Sequence, residues 1–505
     1  KKPSWMLGFQ PKLIVIERKI FMTRKRITCI VSLILAVLML FTVSGCTSGR
    51  TMDTDSTADG SSEQNWFGEG STTVIGDNTN NSNNNSGSNG GGNTGQLTQQ
   101  TPNVIKSEDF PWPDLKFDSD TVTVLAIGVD NNSYSFEQKI LKEQYGLNVE
   151  FVSADFNGLE SKFQQMWSAG NAPDAIFCKF SSHRTYSLVL KGMYRDINSM
   201  TDVNDKDLWG DLTNAYKQTL QLGKNYFVIT DMTKGPYVIY NKKLFRDAGV
   251  DDLWKTYKAN PDGWDWDKLE EIGPKLADKA TGITGLVMDD GESFFHTSGQ
   301  RYGEWGETRE TTKSNMKNQC FARAAELITK GRTDGWITTN AVTTYADVFG
   351  NEAAAMCFDY TDGIRSQWTD IAKRGDLGIV PIPKDPEASK RWNYKYLNSW
   401  ALPTKSKNPN GGLAFAIACR YHSITDEGLA EVESGYRQLG ATDLNIQQMF
   451  EPDKVGGVFI DMGKNLGYTN VWNCILHEHP WSSTFSGETL NTTNRYIDEV
   501  FAGVE

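Results

Sequence analysis

The sequence predicts an α/β protein with two folding units and a parallel sheet flanked by helices. Two observations carry this. From Thr121 onward, short β-branched runs alternate with helical stretches, the pattern of a parallel sheet covered by helices. Of the 505 residues, the part that reads as folded runs from about Phe110 to Glu505, which is the length of two domains. Composition narrows the function classes. The net charge is −12 with no basic stripe in the body, which argues against nucleic acid as a partner, because phosphate binding needs clustered Lys and Arg. Seven cysteines over this length make no disulfide scaffold, and the odd number leaves at least one thiol unpaired.

The first 108 residues read as targeting and tether. After Met22 come Thr23-Arg24-Lys25-Arg26, an apolar run from Ile27 to Phe41, and Val43-Ser44-Gly45-Cys46. A positive start, a short apolar stretch and small residues at a cut site make a secretory signal over 22–45, too short to span a bilayer stably. Residues 1–21 then lie upstream of the true start, an unusually long positive region being the other reading. Val43 to Cys46 resembles the bacterial lipobox, which implies a lipidated, palmitate-bearing Cys46 at the mature N-terminus; the alternative is an ordinary signal peptide with an incidental Cys. From Cys46 to about Glu108 the chain is rich in Ser, Asn and Gly, including NTNNSNNNSGSNGGGNTG over Asn78 to Gly95. Such composition has too little apolar surface to offset the entropy of ordering, so it predicts a flexible tether spanning roughly 40 to 50 Å.

In the body, Thr121 to Ile127 (TVTVLAI) predicts a buried strand ended by Gly128. Ser135 to Tyr145 has helical spacing in Phe136, Ile140 and Leu141, and Asn148 to Val152 is strand again. Leu159 to Ser168 puts Leu159, Phe163 and Met166 on one helix face, and Ala175-Ile176-Phe177 follows as a short strand. Ligands of such sheets collect at the carboxyl ends of the strands, which directs attention to the loops after Ile127 and Phe177. Asp265 predicts an N-cap for a helix beginning at Trp266, and Pro409 after Asn408 sets up a helix through Tyr421.

Leu159 to Phe177 (LESKFQQMWSAGNAPDAIF) resembles the first-lobe signature of the extracellular solute-binding proteins of ABC importers, the family that includes maltose-binding protein. Tyr237 to Gly249 (YVIYNKKLFRDAG) before Trp264-Asp265-Trp266, Ala353 to Met356, Gly378 to Pro383 (GIVPIP) and Thr425 to Gly428 follow in the family's order. The resemblance implies a two-lobe, periplasmic-binding-protein-like fold of type II with a ligand cleft at the hinge. Lobe 1 is then 109–232 with 385–430, and lobe 2 is 233–384 with 431–505. It implies a monomer on the extracellular face of the cell membrane, held by its lipid, partnered by the permease membrane subunits of an importer, and binding a sugar or oligosaccharide without catalysis, cofactor or metal.

The residues offer chemistry of that kind. Fifteen Trp, 18 Tyr and 24 Phe supply platforms for the apolar faces of sugars, and carboxylates and amides bond their hydroxyls. Asp130 and Ser181 lie in the two strand-end loops. Glu292, Phe295 and His296 resemble the acidic-aromatic segment that lines the opposite wall in maltose-binding relatives, and Asp359, Tyr360 and Asp362 fall where those relatives place a stacking aromatic. Trp400 and Trp472 are further candidates. The position of the family's Trp after the Pro-Asp strand is Cys178 or Lys179 here, a departure that counts against carrying over maltodextrin specificity from the resemblance. G-x-S-x-G, H-E-x-x-H and P-loop motifs are absent from the sequence. The competing readings are a surface hydrolase or lyase, using an acid pair from Asp289, Asp290, Glu292, Asp359 or Asp362, and an adhesin.

Overall fold

The computed structural model describes residues 104–178, 182–288, 291–339, 345–359, 364–451 and 456–502. The strands in chain order begin with β1 (Thr121–Ile127), β2 (Asn148–Ala154), β3 (Ala175–Phe177), β4 (Phe227–Met232), β5 (Tyr237–Asn241), β6 (Thr284–Met288) and β7 (Gly303–Glu304). They continue with β8 (Lys313–Ser314), β9 (Ile337–Thr339), β10 (Ala354–Asp359), β11 (Leu377–Pro381), β12 (Trp392–Tyr394), β13 (Leu397–Ala401) and β14 (Gly457–Phe459).

The first sheet runs β2-β1-β3-β13-β4, with β1 parallel to β2 and β3, and β13 antiparallel to β3 and β4. Both faces are covered, so period-2 alternation sends side chains into two cores. Val122, Val124 and Ala126 meet the helix Pro409–Ile424, while Leu125 meets Phe163 of the helix Leu159–Ser168. The first of these helices begins as its residues demand, with Pro409 in the first turn and Asn408 accepting from the Gly411 amide. It lies so close to the sheet that a Cβ on Gly412 would stand 2.1 Å from the Asp174 carbonyl oxygen. On its far side the buried Arg420 donates to the carbonyls of Leu208 (3.0 Å) and Thr230 (3.2 Å) and pairs with Asp211.

Residues 104–108, expected in the tether, are docked on this lobe. Ile105 forms a bridge with Thr425, and the Ser107 amide donates to Asp426 at 2.9 Å. Backbone pairing, the Asp426 carboxylate and the packing of Ile105 against the lobe-1 core hold them. Nearby, His422 lies between Glu137 (2.7 Å) and Glu431 (3.1 Å), with Phe136 against its ring. Burial opposes the charged ring, but the two carboxylates outweigh it and push its pKa up to about 10. The folded state thus keeps a proton that the unfolded chain releases near 6.5. This contribution to stability is complete below about pH 6.5 and is lost as pH rises to about 10. His422→Gln is expected to flatten the fall in urea midpoint over that window, and an unchanged slope in the variant would refute the assignment.

The second sheet runs β11-β5-β10-β6-β9, with β5 antiparallel to its two neighbours. Its strands are buried almost throughout: β5, β6, β10 and β11 show no exposed residue. The helix Trp266–Leu276 is capped by Asp265, which accepts from the Lys268 amide. Trp264, Leu269 and Ile272 join Leu286 and Met288 in one core, while Tyr237, Ile239 and Cys357 face a second core with Trp368 and Met449.

Two stretches of chain link the sheets, 233–236 and 382–396, and they are bonded to each other. The Thr233 amide donates to the Tyr396 carbonyl at 3.0 Å, and the buried Lys395 ammonium donates to the carbonyls of Thr233 (2.9 Å) and Lys234 (2.8 Å). Strand β14 adds to β12 in parallel. The C-terminal part does not keep to one sheet: the helix Tyr468–Ile475 packs in the lobe-2 core that holds Trp264 and Leu286, Ile460 packs in the lobe-1 core that holds Val122 and Val124, and the helix Gly487–Phe501 lies against the lobe-1 helix His183–Leu190. All five cysteines of the described residues are free thiols.

Candidate ligand site

The carboxyl ends of β6 and β10 lie side by side, because Met356 pairs with Leu286 and Cys357 with Val287. Beyond β6 the chain turns through Gly291, at positive φ, into the short helix Glu292–Phe295. Glu292 is fully buried there. Its Oε2 accepts from the Tyr396 hydroxyl at 2.9 Å and pairs with the Lys464 ammonium. Lys464 in turn lies 5.0 Å from the Tyr396 ring centroid and 4.9 Å from that of Tyr468. Tyr468 neighbours Trp472 at 5.8 Å, and the Trp472 indole donates to His477 at 3.2 Å. One carboxylate and one ammonium thus join the lobe-2 sheet edge, the linking stretch and the C-terminal part within a wall of aromatic rings.

At the end of β10, Asp359 is buried and held by Arg365, with Nε 2.9 Å from Oδ2 and a terminal nitrogen 3.2 Å from Oδ1. The Tyr345 hydroxyl also donates to Asp359 at 3.3 Å, and the Arg365 guanidinium lies 5.0 Å from the Tyr345 ring centroid. Asp359 and Glu292 therefore each face a cation. That arrangement fixes the orientation of both carboxylates.

The remaining candidates divide. Asp130 is exposed at the end of β1, where Oδ1 accepts from the amides of Asn132 (2.9 Å) and Ser133 (3.0 Å) and from the Ser133 hydroxyl (3.0 Å). The Asn132 amide foremost, then the Ser133 hydroxyl, hold its pKa below the usual carboxylate value. Trp472 is half-buried beside Tyr468. Phe295, His296 and Trp400 are buried in packing. Phe295 lies in the lobe-2 core 5.6 Å from Trp481, and Trp400 lies in the lobe-1 core 4.8 Å from Phe415. His296 is sandwiched between the rings of Tyr302 (4.2 Å) and Tyr394 (4.1 Å), its Nε2 3.0 Å from Asp461. Ser181, Tyr360, Asp362 and Cys46 lie outside the described residues.

Lys464, Tyr396, Tyr468, Arg365 and Tyr345 were not singled out by sequence. A buried lysine has no local signature, and Arg365 was legible only as a cation six residues after Asp359. Among the described residues no cluster of three or more His, Cys, Asp and Glu is placed to hold a metal, and no helix is long and apolar enough to cross a membrane.

Comparison with known proteins adds the family. Residues 138–432 match the family model described as bacterial extracellular solute-binding protein. An ABC substrate-binding protein from Listeria monocytogenes, in complex with cycloalternan, superposes with a TM-score of 0.55 at 16% identity, over 76% of this chain and 99% of that one. The GacH receptor of Streptomyces glaucescens, solved unliganded and with acarbose, gives 0.52 at 18% identity over 76% and 99%. A solute-binding protein from Thermotoga lettingae bound with α-D-tagatose gives 0.51 at 18% identity over 76% and 100%. At these identities the likeness establishes the fold, the two-lobe architecture of ABC substrate-binding proteins. No curated protein matches the chain.

Proposed function

The chain belongs to the bacterial extracellular solute-binding proteins, and from that premise we propose that it captures a sugar or oligosaccharide between its lobes and delivers it to the permease of an ABC importer. The observation that carries the ligand class is the wall at the β6 edge. Tyr396, Tyr468 and Trp472 offer flat rings around the Glu292–Lys464 pair, the mixture of apolar face and fixed polar groups that a pyranose requires. The ligands named for the three fold relatives, cycloalternan, acarbose and tagatose, are of the same class. Asp130 faces hydroxyls from lobe 1 in this reading, and Ser181, Tyr360 and Asp362 are the further ligand contacts it proposes.

Closure of the lobes buries the ligand, and the closed form docks on the permease. No covalent step is involved. Cys46 carries the lipid, the Asn/Gly/Ser tether gives reach, and the protein works as a monomer outside the cell membrane.

A thermal-shift screen over maltotriose, tagatose, a cyclic tetrasaccharide, peptides and divalent metals tests this. A sugar present at a hundred times its Kd stabilises the folded state by about 2.7 kcal/mol, seen as a rise in Tm. The oligosaccharide should be recovered intact. Cleavage of the sugar, or a rise with peptide or metal alone, would overturn the assignment.

A further inference from the structure

A groove of about 730 Å³ crosses the boundary between the lobes beside β12 and β14. One wall is the lobe-1 helix Thr213–Gln218, and the other is the turn and hairpin from Gly299 to Asn315 of lobe 2. Gln218 makes the join, its amide donating to the Val458 carbonyl at 3.2 Å and its oxygen accepting from the Ile460 amide at 3.1 Å. Among the described residues the lining comes from these two walls and from Lys390, Trp392 and the strand β14.

Three cations line it: Arg301, Lys313 and Lys390. Among the described residues none of them has a carboxylate within ion-pair distance, and Glu304, opposite Lys313 in the β7–β8 register, is the only acidic lining residue. In a chain of net charge −12, three cations gathered around a single carboxylate leave an excess of positive charge, and a bound anion would relieve their mutual repulsion. The groove also holds an indole, with the Lys390 ammonium 4.1 Å from the Trp392 ring, and the side-chain amides of Asn214 and Gln300 at its sides. Cations for an acid group, amides for hydroxyls and a ring for a C–H face form one recognition set. We infer that this groove binds an acidic saccharide of one or two rings, a uronate or a sulfated sugar, independently of the ligand in the cleft.

The test is calorimetric titration of the full chain with digalacturonate and with galactose 6-sulfate, using neutral galactobiose as control. These two arms separate a carboxylate ligand from a sulfate one. At least one acidic probe should bind, more weakly as salt is raised, and galactobiose should not compete for it. The triple variant Arg301→Gln/Lys313→Gln/Lys390→Gln should weaken that binding about tenfold or more, while keeping the thermal response to the neutral cleft sugar. Lys313→Glu, on the exposed hairpin, should act in the same direction if the triple variant fails to fold. Absence of binding by both acidic probes overturns the inference. So does equal binding by wild type and triple variant, which would locate the acid in the cleft. Both outcomes are read separately from the neutral-sugar response, and so from the proposal for the cleft.

Discussion

Asp461→Ala should destabilise the protein by about 3–5 kcal/mol, read as a lowered urea midpoint. The Asp461 side chain is wholly buried, and both oxygens are used. Oδ2 accepts from the Tyr302 amide at 2.7 Å and lies 3.0 Å from His296 Nε2, while Oδ1 accepts from the Gly463 amide at 2.8 Å. Truncation strands these groups away from water at about 1–3 kcal/mol each. Asp461→Asn keeps one carbonyl oxygen and should lose roughly half as much, because that oxygen can still serve the Oδ2 partners. Equal losses in the two variants would mean that the carbonyl oxygen kept by Asn recovers nothing, and that the cost lies in the carboxylate's charge or its bond to Gly463. Two residues from Asp461, Gly463 has no room for a side chain, since a Cβ would stand 1.9 Å from the Gly303 carbonyl oxygen. The stretch that carries Lys464 is therefore held both by charge and by close backbone approach. Asp461→Ala should weaken binding of the cleft sugar as well as stability.

Arg420→Met should cost about 3 kcal/mol in lobe 1. The substitution keeps most of the volume but removes the donors to the Leu208 and Thr230 carbonyls and leaves Asp211 without its cation. Because Asp211 is partly exposed, water recovers some of that loss. Adding Asp211→Asn should then cost less than the sum of the single changes. Strict additivity would show that the pair contributes nothing beyond the two carbonyl bonds.

The strands and helices from Thr121 to Phe177 were legible because each carries one clear period and a turn residue at its end. The caps at Asp265 and Asn408 were legible for the same local reason. The site was less so. Trp400 and Ser399 occupy opposite faces of β13 and both are buried, because the sheet is covered on its two sides, so alternation carries no signal of exposure. An acidic-aromatic run such as Glu292 to His296 reads alike whether it lines a cleft or closes a core. The difference is made by Lys464, Asp461 and Tyr396, all more than 100 residues away in sequence.

The docking of Ile105 and Ser107 onto Thr425 and Asp426 has a mechanical consequence. Tension arriving along the preceding chain is delivered to lobe 1 beside the end of the helix Pro409–Ile424, and not to lobe 2. If that chain is moored, lobe 1 becomes the stationary half of a hinge and lobe 2 the swinging half. A mooring of that kind would position the protein without loading the lobe closure proposed above.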